Sequence, residues 1–376
     1  MKILFIVPSY KPAYVYGGPI ESVAKLCEGL ARRGHVVDVY TTTANGGGEL
    51  NVCQGRKTDV DGVAVTYFRR ITGDHTHISP ALWKRLRSTV HTYDVVHIQS
   101  WWSILVIVSA MICHKRNARV IVSPRGMLSS YVMNSGNARL KWLIHNSIGR
   151  RALGKSFFHA TAASEYDECV GLIKNWEGYV LPNILSLPDL PVEKTVNTVF
   201  TLIYMSRIHP KKNLEVVFRA ISKLRMNVVL KVAGSGDAAY IDSLKALAHS
   251  LNIEDKIQWT GWMDRDQKFS ALMQADLFIL ISRNENFANV VVESLHMGTP
   301  VLISREVALS EFVGKHDLGW LSSLDEENVT KKIEEAYTNR DKRSRIESNA
   351  RASIARAFSE QTLIKQYEKK YETIIS

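Results

Sequence analysis

At 376 residues, with 45% hydrophobic and 23% charged, the chain is long enough for two domains and too ordinary in balance for a disordered or fibrous protein. Its longest apolar run, Ile104 to Ile112, holds nine residues including Ser109, against about 20 for a membrane span, so no transmembrane helix is expected. The net charge of +11 is lopsided: residues 1–190 carry 22 Lys and Arg against 13 Asp and Glu, and residues 191–376 carry 26 against 24. A basic first half suits an anionic partner (nucleic acid, a membrane surface or a phosphorylated substrate), or is simply a solvated basic surface.

In chain order, Met1 to Pro8 is too short for a signal-peptide core and lacks a small-residue cleavage site. It reads as a buried first strand, Ile3–Val7, and a cytosolic chain is expected. Cys27, Cys53, Cys113 and Cys169 form no C-x-x-C pair, which fits reduced thiols rather than a disulfide framework or a zinc site. A Gly/Pro/Tyr-rich loop, Ser9 to Pro19, precedes apolar residues at helical spacing from Ile20 to Ala31, with Gly34 as the stop. Val36–Thr42, Val95–Ile98 and Val120–Val122 read as buried strands, the last two flanking an apolar helix, Trp102–His114.

A second alternating series starts near residue 199. Strands are predicted at Phe200–Met205, Val228–Ala233, Ile257–Thr260, Leu277–Ile281 and Val301–Ser304. Helices are predicted at Leu214–Leu224, Tyr240–Ser250, Asp266–Gln274 and Val290–Met297. Strands separated by helices imply an α/β protein with a parallel sheet in each half. The connection from Leu181 to Pro191 carries three prolines and reads as an interdomain linker. Two Rossmann-like domains facing each other would place a ligand cleft at their strand C-termini.

The most informative stretch runs from Ser282 to Pro300. Glu285 falls on the loop after a strand, and Glu293 about one turn into the following helix, on the face of Asn289. A helix N-terminus suits a phosphate, and two carboxylates beside it can accept hydrogen bonds from sugar hydroxyls. The same pattern equally fits a loop-capping Glu285 and a solvated Glu293. A second cluster, Arg207 to Asn213, follows the first strand of the second half. Cations there can neutralise a diphosphate leaving group, though a bare basic cluster is more often a solvated loop.

Glu285-x7-Glu293 followed by Gly298-x-Pro300-Val301 resembles the E-x7-E motif of retaining glycosyltransferases of family 4, which have the GT-B fold; the segment Ser123 to Leu128 is similar to that of branches that work on bacterial surface polysaccharides. The resemblance implies that Glu285 contacts the transferred sugar and Glu293 the donor ribose. It also implies that the backbone of Phe287, Ala288, Asn289 and Val290 meets sugar and diphosphate. The usual E-G-F-G core reads Glu285-Asn286-Phe287-Ala288 here, with two glycines replaced. Arg207 and Lys212 match the spacing of the family's G-R-L-x-x-x-K pattern, with Ser206 for the Gly, and by resemblance bind the donor diphosphate. Gly17 and Gly18 resemble the N-terminal Gly-Gly loop near donor phosphates and acceptor, and Gly261 with Trp262 the segment that holds the nucleotide base. Arg33-Gly34-His35-Val36, Val95-Val96-His97, Pro182-Asn183 and Val232-Ala-Gly234-Ser-Gly236 also match in family order, so the likeness runs from residue 1 to about 370. In Ser123-Pro124-Arg125-Gly126-Met127-Leu128, Arg125 stands where many members have a His near the reacting sugar. His97 fits a cleft-lining role and a structural strand-end role alike.

Three features imitate other chemistry. Gly234-Ser-Gly236-Asp-Ala-Ala239 looks like a dinucleotide fingerprint, but no acid ends the next strand, and a tight turn fits better. Asp59-x-Asp61 and Asp264-x-Asp266 imitate a metal-binding D-x-D; the first reads as a hairpin turn and the second as a helix start. Trp101-Trp102 fits stacking on a sugar and buried packing equally.

The resemblance implies an acceptor-binding domain over 1–188, a nucleotide-sugar domain over 189–358, and a C-terminal helix over 359–376 that crosses back to the first domain. It implies a metal-independent, retaining transferase with no cofactor. The donor is a nucleotide-diphosphate sugar and the acceptor a glycan or lipid-linked glycan. Nucleic acid is not expected as a partner, and peripheral contact with an anionic membrane at the inner face is expected from the charge and the resemblance together. The alternatives are a GT-B sugar-nucleotide epimerase and a non-catalytic protein that binds anionic polymer.

Overall fold

The computed structural model describes residues 1–189, 194–195 and 197–376; Leu190 and Pro191, at the end of the proline-rich connection, lie outside them. The chain divides into two compact units, Met1–Ser186 with Phe358–Ser376, and Leu187–Ala357.

In the N-terminal unit the strands are β1 (Lys2–Val7), β2 (Val36–Thr42), β3 (Ala44–Asn45), β4 (Gly48–Glu49), β5 (Lys57–Val60), β6 (Val63–Phe68), β7 (Val95–Gln99), β8 (Val120–Ser123), β9 (Phe157–Ala160) and β10 (Gly178–Val180). Eight of them form one sheet in the order β10-β9-β8-β7-β1-β2-β6-β5. All its pairings are parallel except β5 with β6. The expectation of a purely parallel sheet is therefore corrected at this edge. Asp61 and Gly62 both take positive φ, 55° and 81°, which makes the two-residue hairpin that reverses the chain. The first D-x-D imitation is thus a turn.

Strand β1 is buried on both faces. Ile3, Phe5 and Val7 face a cluster that includes Val23, Cys27 and Leu30 of the helix Gly18–Arg32, whereas Leu4 and Ile6 face Leu82, Leu105 and Ala110. This is why its sequence is continuously apolar rather than alternating. The C-terminal helix Glu360–Ile375 lays Leu363, Ile364, Tyr367, Tyr371 and Ile374 into the first of these clusters.

The C-terminal unit holds β11 (Phe200–Met205), β12 (Val228–Ala233), β13 (Ile257–Gly261), β14 (Leu277–Leu280), β15 (Val301–Ser304) and β16 (Gly319–Ser322). They form one sheet in the order β13-β12-β11-β14-β15-β16, every pairing parallel. Renumbered from β11 as first, this is the order 3-2-1-4-5-6 of a doubly wound dinucleotide-type sheet. The order reverses between β11 and β14. Ligands of such sheets bind beyond the carboxyl ends of the strands at that reversal. The loops that follow β11 and β14 are therefore where chemistry is expected. Among the described residues, no helix is long and apolar enough to cross a membrane.

Candidate active site

The loop after β11 carries Arg207 and Lys212; the loop after β14 carries Glu285 and leads into the helix Asn289–His296. Main-chain and side-chain bonds join the two loops. The Arg283 amide donates to the Lys211 carbonyl at 2.8 Å, and the Ser282 hydroxyl oxygen lies 3.1 Å from the same carbonyl. The Arg283 guanidinium reaches Asn213 Oδ1 at 3.0 Å. Asn213 sits in the left-handed region with φ of 59° and starts the helix Leu214–Lys223, a conformation that suits Asn among non-glycine residues. Behind them, Glu285 is held by its main chain: its amide donates to the Glu306 carbonyl at 3.1 Å, and its carbonyl accepts from the Ala308 amide at 3.0 Å.

The loop after β11 is also closed from its other side. An added Cβ at Gly234 would come within 2.0 Å of the Ser206 carbonyl oxygen, and one at Gly236 within 2.1 Å of the Ile208 carbonyl oxygen. The Ile208 amide donates to the Ser235 carbonyl at 2.8 Å. The glycines of the dinucleotide-like motif thus let two backbones touch, which accounts for them without a nicotinamide cofactor.

Within this frame Lys212 Nζ forms an ion pair with Glu285 Oε1, and both side chains are mostly buried. The Ser282 hydroxyl donates to the same carboxylate oxygen at 2.8 Å. Burial by itself would raise the Glu285 pKa. The Lys212 ammonium overrides it, aided by Lys211 and the Ser282 hydroxyl, and the carboxyl is held below its ordinary value. Arg207, on the same loop, is exposed to solvent. His209 is held below its ordinary pKa by partial burial and then by Arg207, Lys211 and Lys212. The loop therefore has the positive potential that would attract an anion.

Glu293 is buried, not solvated, and its Oε1 accepts from Lys268 Nζ at 2.7 Å. The second D-x-D imitation supplies that neighbour: Asp264 is the N-cap of the helix Arg265–Gln274, in a capping box with Gln267, and Lys268 lies one residue further on. Ala288 takes φ of 64° and ψ of 72°, the left-handed region, at the N-cap of the helix Asn289–His296, and supplies no capping side chain. The alanine therefore holds a glycine-like conformation at a strain cost. Phe287 beside it is buried and anchors the loop; Asn289 and Val290, the first two residues of the helix, are half-buried. Gly261 ends β13, its carbonyl accepting from the Gly234 amide at 2.7 Å, and Trp262 follows it 68% exposed.

The remaining sequence candidates belong to the N-terminal unit. Gly17 takes φ of 72° and caps the helix that Gly18 opens. Arg125, with φ of 57°, is half-buried and committed to protein groups. Its Nε donates to Gln99 Oε1 at 2.9 Å, and its guanidinium also reaches Ser22 and Asn183. His97 does not line an opening. It is fully buried between Tyr371 OH at 2.7 Å and Ser123 Oγ at 2.6 Å. Ser123 Oγ continues to His159 Nδ1 at 2.7 Å, whose other nitrogen meets Tyr367 OH at 2.8 Å. Trp101 is fully buried, which decides for packing; Trp102 is half-buried and its indole donates to the Met127 carbonyl at 2.6 Å.

Sequence reasoning missed Ser282, Asn213 and Lys268. Asn213 carried a signal, since Asn tolerates the left-handed region; Lys268, 25 positions from its partner, carried none.

Residues 190–353 match the family described as glycosyl transferases group 1, and residues 17–183 match the glycosyl transferase 4-like domain. The chain belongs to the group 1 glycosyltransferases. An uncharacterized glycosyltransferase of Methanocaldococcus jannaschii is 25% identical over 99% of this chain and 98% of its own length. The lipopolysaccharide core biosynthesis glycosyltransferase LpsE of Rhizobium meliloti is 26% identical over 48% of this chain, which spans 50% of that relative. HepE of Anabaena, whose structure was determined with UDP and glucose, superposes with a TM-score of 0.76 at 18% identity, over 99% of this chain and 100% of HepE. At that identity the likeness speaks for the fold alone. This glycosyltransferase has the GT-B fold, with a Rossmann-like sheet in each unit.

Proposed function

We propose that this glycosyltransferase moves a sugar from a nucleotide-diphosphate donor to a hydroxyl of a glycan or lipid-linked glycan, with retention at the anomeric carbon, in the synthesis of a surface polysaccharide. The observation that carries the reading is the Lys212–Glu285 pair, held with Arg207 at the reversal point of the C-terminal sheet. A diphosphate seated beside Arg207 and Lys212, at the head of the helix Asn289–His296, has its charge neutralised as it leaves. Lys212 then turns from carboxylate to phosphate, and Glu285 turns from Lys212 to hydroxyls of the sugar. Glu293, oriented by its ion pair with Lys268, accepts from the donor ribose.

In the reaction, the bond from the anomeric carbon to the diphosphate oxygen breaks, and the acceptor oxygen bonds to that carbon on the same face. The acceptor proton passes to the departing diphosphate. Arg207 and Lys212 supply the cationic charge, so no metal ion and no cofactor take part. Trp262 and Gly261 line the base, and Gly17, Gly18 and Arg125 serve the acceptor side, Arg125 by shaping it through Gln99, Ser22 and Asn183. The protein works at the inner face of an anionic membrane, where a lipid-linked acceptor resides. The lipopolysaccharide relative and the UDP complex of HepE support acceptor and donor class respectively.

The test is a screen of nucleotide sugars by thermal shift, followed by transfer assays with lipid-linked glycans and NMR of the product anomer. The reading requires release of nucleoside diphosphate that depends on acceptor, survives excess chelator, and gives a product with the donor's anomeric configuration. An inverted anomer, or activity lost to chelator and restored by magnesium or manganese, contradicts it.

A further inference from the structure

The loop after β1 and the β5–β6 edge of the N-terminal sheet enclose an open cavity of about 450 Å³. Sites for small ligands run from about 300 to 1,000 Å³. Three chain segments build it: Lys11 to Tyr14, Val52 with Cys53, and Thr58 to Asp61 of the hairpin. These segments are tied to one another. The Tyr67 hydroxyl of β6 donates to the Lys11 carbonyl, and the Gly55 amide donates to the Tyr67 carbonyl at 2.8 Å. Lys11 Nζ reaches Glu28 on the helix Gly18–Arg32 and, at 2.8 Å, Asp61 Oδ2 on the hairpin. The cavity is therefore built by the fold itself, which lowers the cost of ordering on binding.

Its lining offers two kinds of surface. Val52 and Val60, half-buried, and the buried Tyr67 make an apolar floor. Tyr14, 48% exposed, offers an uncovered aromatic ring at the rim. The hydroxyls of Tyr14 and Thr58 and the Oδ1 of Asp61 have no hydrogen-bond partner among the described residues. The Lys11 ammonium holds the Asp61 carboxyl below its ordinary value, so at neutral pH Asp61 is an acceptor only.

Charge decides among ligand classes. Lys11 is shared between Glu28 and Asp61, and Glu28 also takes Lys25 at 2.8 Å, so Lys11 brings no surplus positive charge to the wall. A phosphate or a nucleotide would meet a compensated lysine and the Asp61 carboxylate. A hydrocarbon chain would cover the Thr58 hydroxyl and the same carboxylate without pairing them. A neutral sugar suits both surfaces: its C–H face covers apolar and aromatic groups, and its hydroxyls donate to a carboxylate and exchange bonds with other hydroxyls. The Tyr14 carbonyl accepts from the Gly17 amide at 2.9 Å, so the rim lies one turn of chain from the Gly17–Gly18 loop.

We propose that this cavity is a subsite for neutral sugar residues of the glycan acceptor, set apart from the reacting hydroxyl: Tyr14 stacks on a sugar ring, and Asp61 and Thr58 take its hydroxyls. The proposal deepens the proposed function, resting on it only for the bound glycan being the acceptor; sugar binding itself needs no donor. Cys53 lines the cavity and is exposed, whereas Cys27, Cys113 and Cys169 are buried, so a trifluoromethyl thiol reagent on the full chain reports from this place. The probes are neutral oligosaccharides of hexose and N-acetylhexosamine, with inorganic pyrophosphate and decanol as anionic and apolar comparisons. A saturable shift of the fluorine signal is expected with at least one oligosaccharide and with neither comparison.

Tyr14→Ala should weaken that binding about tenfold and Thr58→Val about fivefold. Both side chains are exposed, so melting, and its shift by a nucleoside diphosphate that binds the wild type, should stay unchanged. In transfer assays with a lipid-linked glycan, the variants should raise acceptor KM by the same factors and leave kcat and donor KM as they are. No shift with any oligosaccharide overturns the subsite, as does equal binding in wild type and both variants, or a shift with pyrophosphate or decanol alone. Transfer with acceptor KM unaltered in both variants also overturns it and leaves the proposed function standing. Oligosaccharide binding weakened by both variants, with no nucleoside diphosphate released on any acceptor, leaves the sugar site standing and counts against the transfer reading instead.

Discussion

Toward the carboxyl ends of its parallel strands, the N-terminal unit carries His97, Ser123 and His159, all fully buried and joined into one hydrogen-bonded chain that Tyr371 and Tyr367 of the C-terminal helix complete. At the same ends the C-terminal unit carries Arg207, Lys212 and Glu285, charged and with Arg207 open to solvent. The two sheets share a strand order around their first strand, so the difference lies in what the loops do. In the first unit the tyrosines seal the polar groups, and burial drives both imidazoles down in pKa, that of His159 to about 3. In the second unit two loops are stitched to each other and leave a cation–carboxylate pair, which the proposed function has the donor exchange into. The protein thus seals the polar strand ends of the first unit inside its core, whereas in the second it leaves a charged pair beside a solvent-exposed arginine.

The largest expected effect breaks the reactive side. Arg207→Ala should lower kcat by ~10²–10³ with modest change in donor KM, because its attraction to the diphosphate grows as the bond breaks. Lys212→Ala should do the same, and in addition leaves Glu285 buried beside fewer cations. Steady-state kinetics with donor and acceptor each varied decide this. Wild-type kcat in both variants removes the diphosphate from their role.

Acid breaks the structural side. His97 and His159 are neutral in the folded state with pKa values depressed below 6.5, so the unfolded chain binds protons that the folded chain does not. Their contribution is fully present above about pH 6.5 and is lost as pH falls toward the folded value, near 3 for His159. Between pH 6.5 and 5 this amounts to about 2 kcal/mol for His159, and His97 acts in the same direction. The Glu285 pair, by contrast, contributes at pH above the ordinary carboxylate value and weakens only as pH falls through its lowered one. Peptide-resolved hydrogen exchange should therefore show β7 to β9 and the C-terminal helix opening at pH 5 while β11 and β14 stay protected. Equal loss in both units contradicts the assignment.

Two smaller effects sharpen the picture of the second unit. Glu293→Ala should weaken donor binding by ~1.5–3 kcal/mol for a lost charged hydrogen bond, leaving kcat at saturating donor little changed. Calorimetric titration with the nucleoside diphosphate and its 2′-deoxy form checks it, since the variant should no longer distinguish them. Ala288→Gly relieves a left-handed alanine and should stabilise the unit by about 1 kcal/mol, seen as a rise in the denaturation midpoint. A fall would show that the alanine methyl makes a contact worth more than its strain.

Much of the frame was legible in residue patterns. Val36–Thr42, Phe200–Met205, Val228–Ala233 and Val301–Ser304 are strands over the very residues predicted, because an apolar run bounded by polar turns fixes both ends. The turn at Asp61-Gly62 and the cap at Asp264 were legible for the same local reason. The antiparallel β5 was not, since its Lys57-Thr-Asp-Val60 has only one apolar residue, and β9 and β10 are short strands of four and three residues. In the site, residue types and spacing alone left Arg207, Lys212, Glu285 and Glu293 open, and only the resemblance to the family motifs singled them out. Their pairing did not show, because Lys212 meets Glu285 across 73 positions and Lys268 meets Glu293 across 25, through packing that no local pattern encodes. The strained backbone of Ala288 was hidden as well, because an alanine advertises no left-handed geometry.

The central claim is that the donor diphosphate binds at the reversal point of the C-terminal sheet. Hydrogen exchange of the full chain with and without a nucleotide-diphosphate sugar shown to bind by thermal shift tests it directly. The account predicts protection gathered in residues 206–213 and 282–293, reduced in Arg207→Ala. Protection of other segments with both of these unchanged would contradict it.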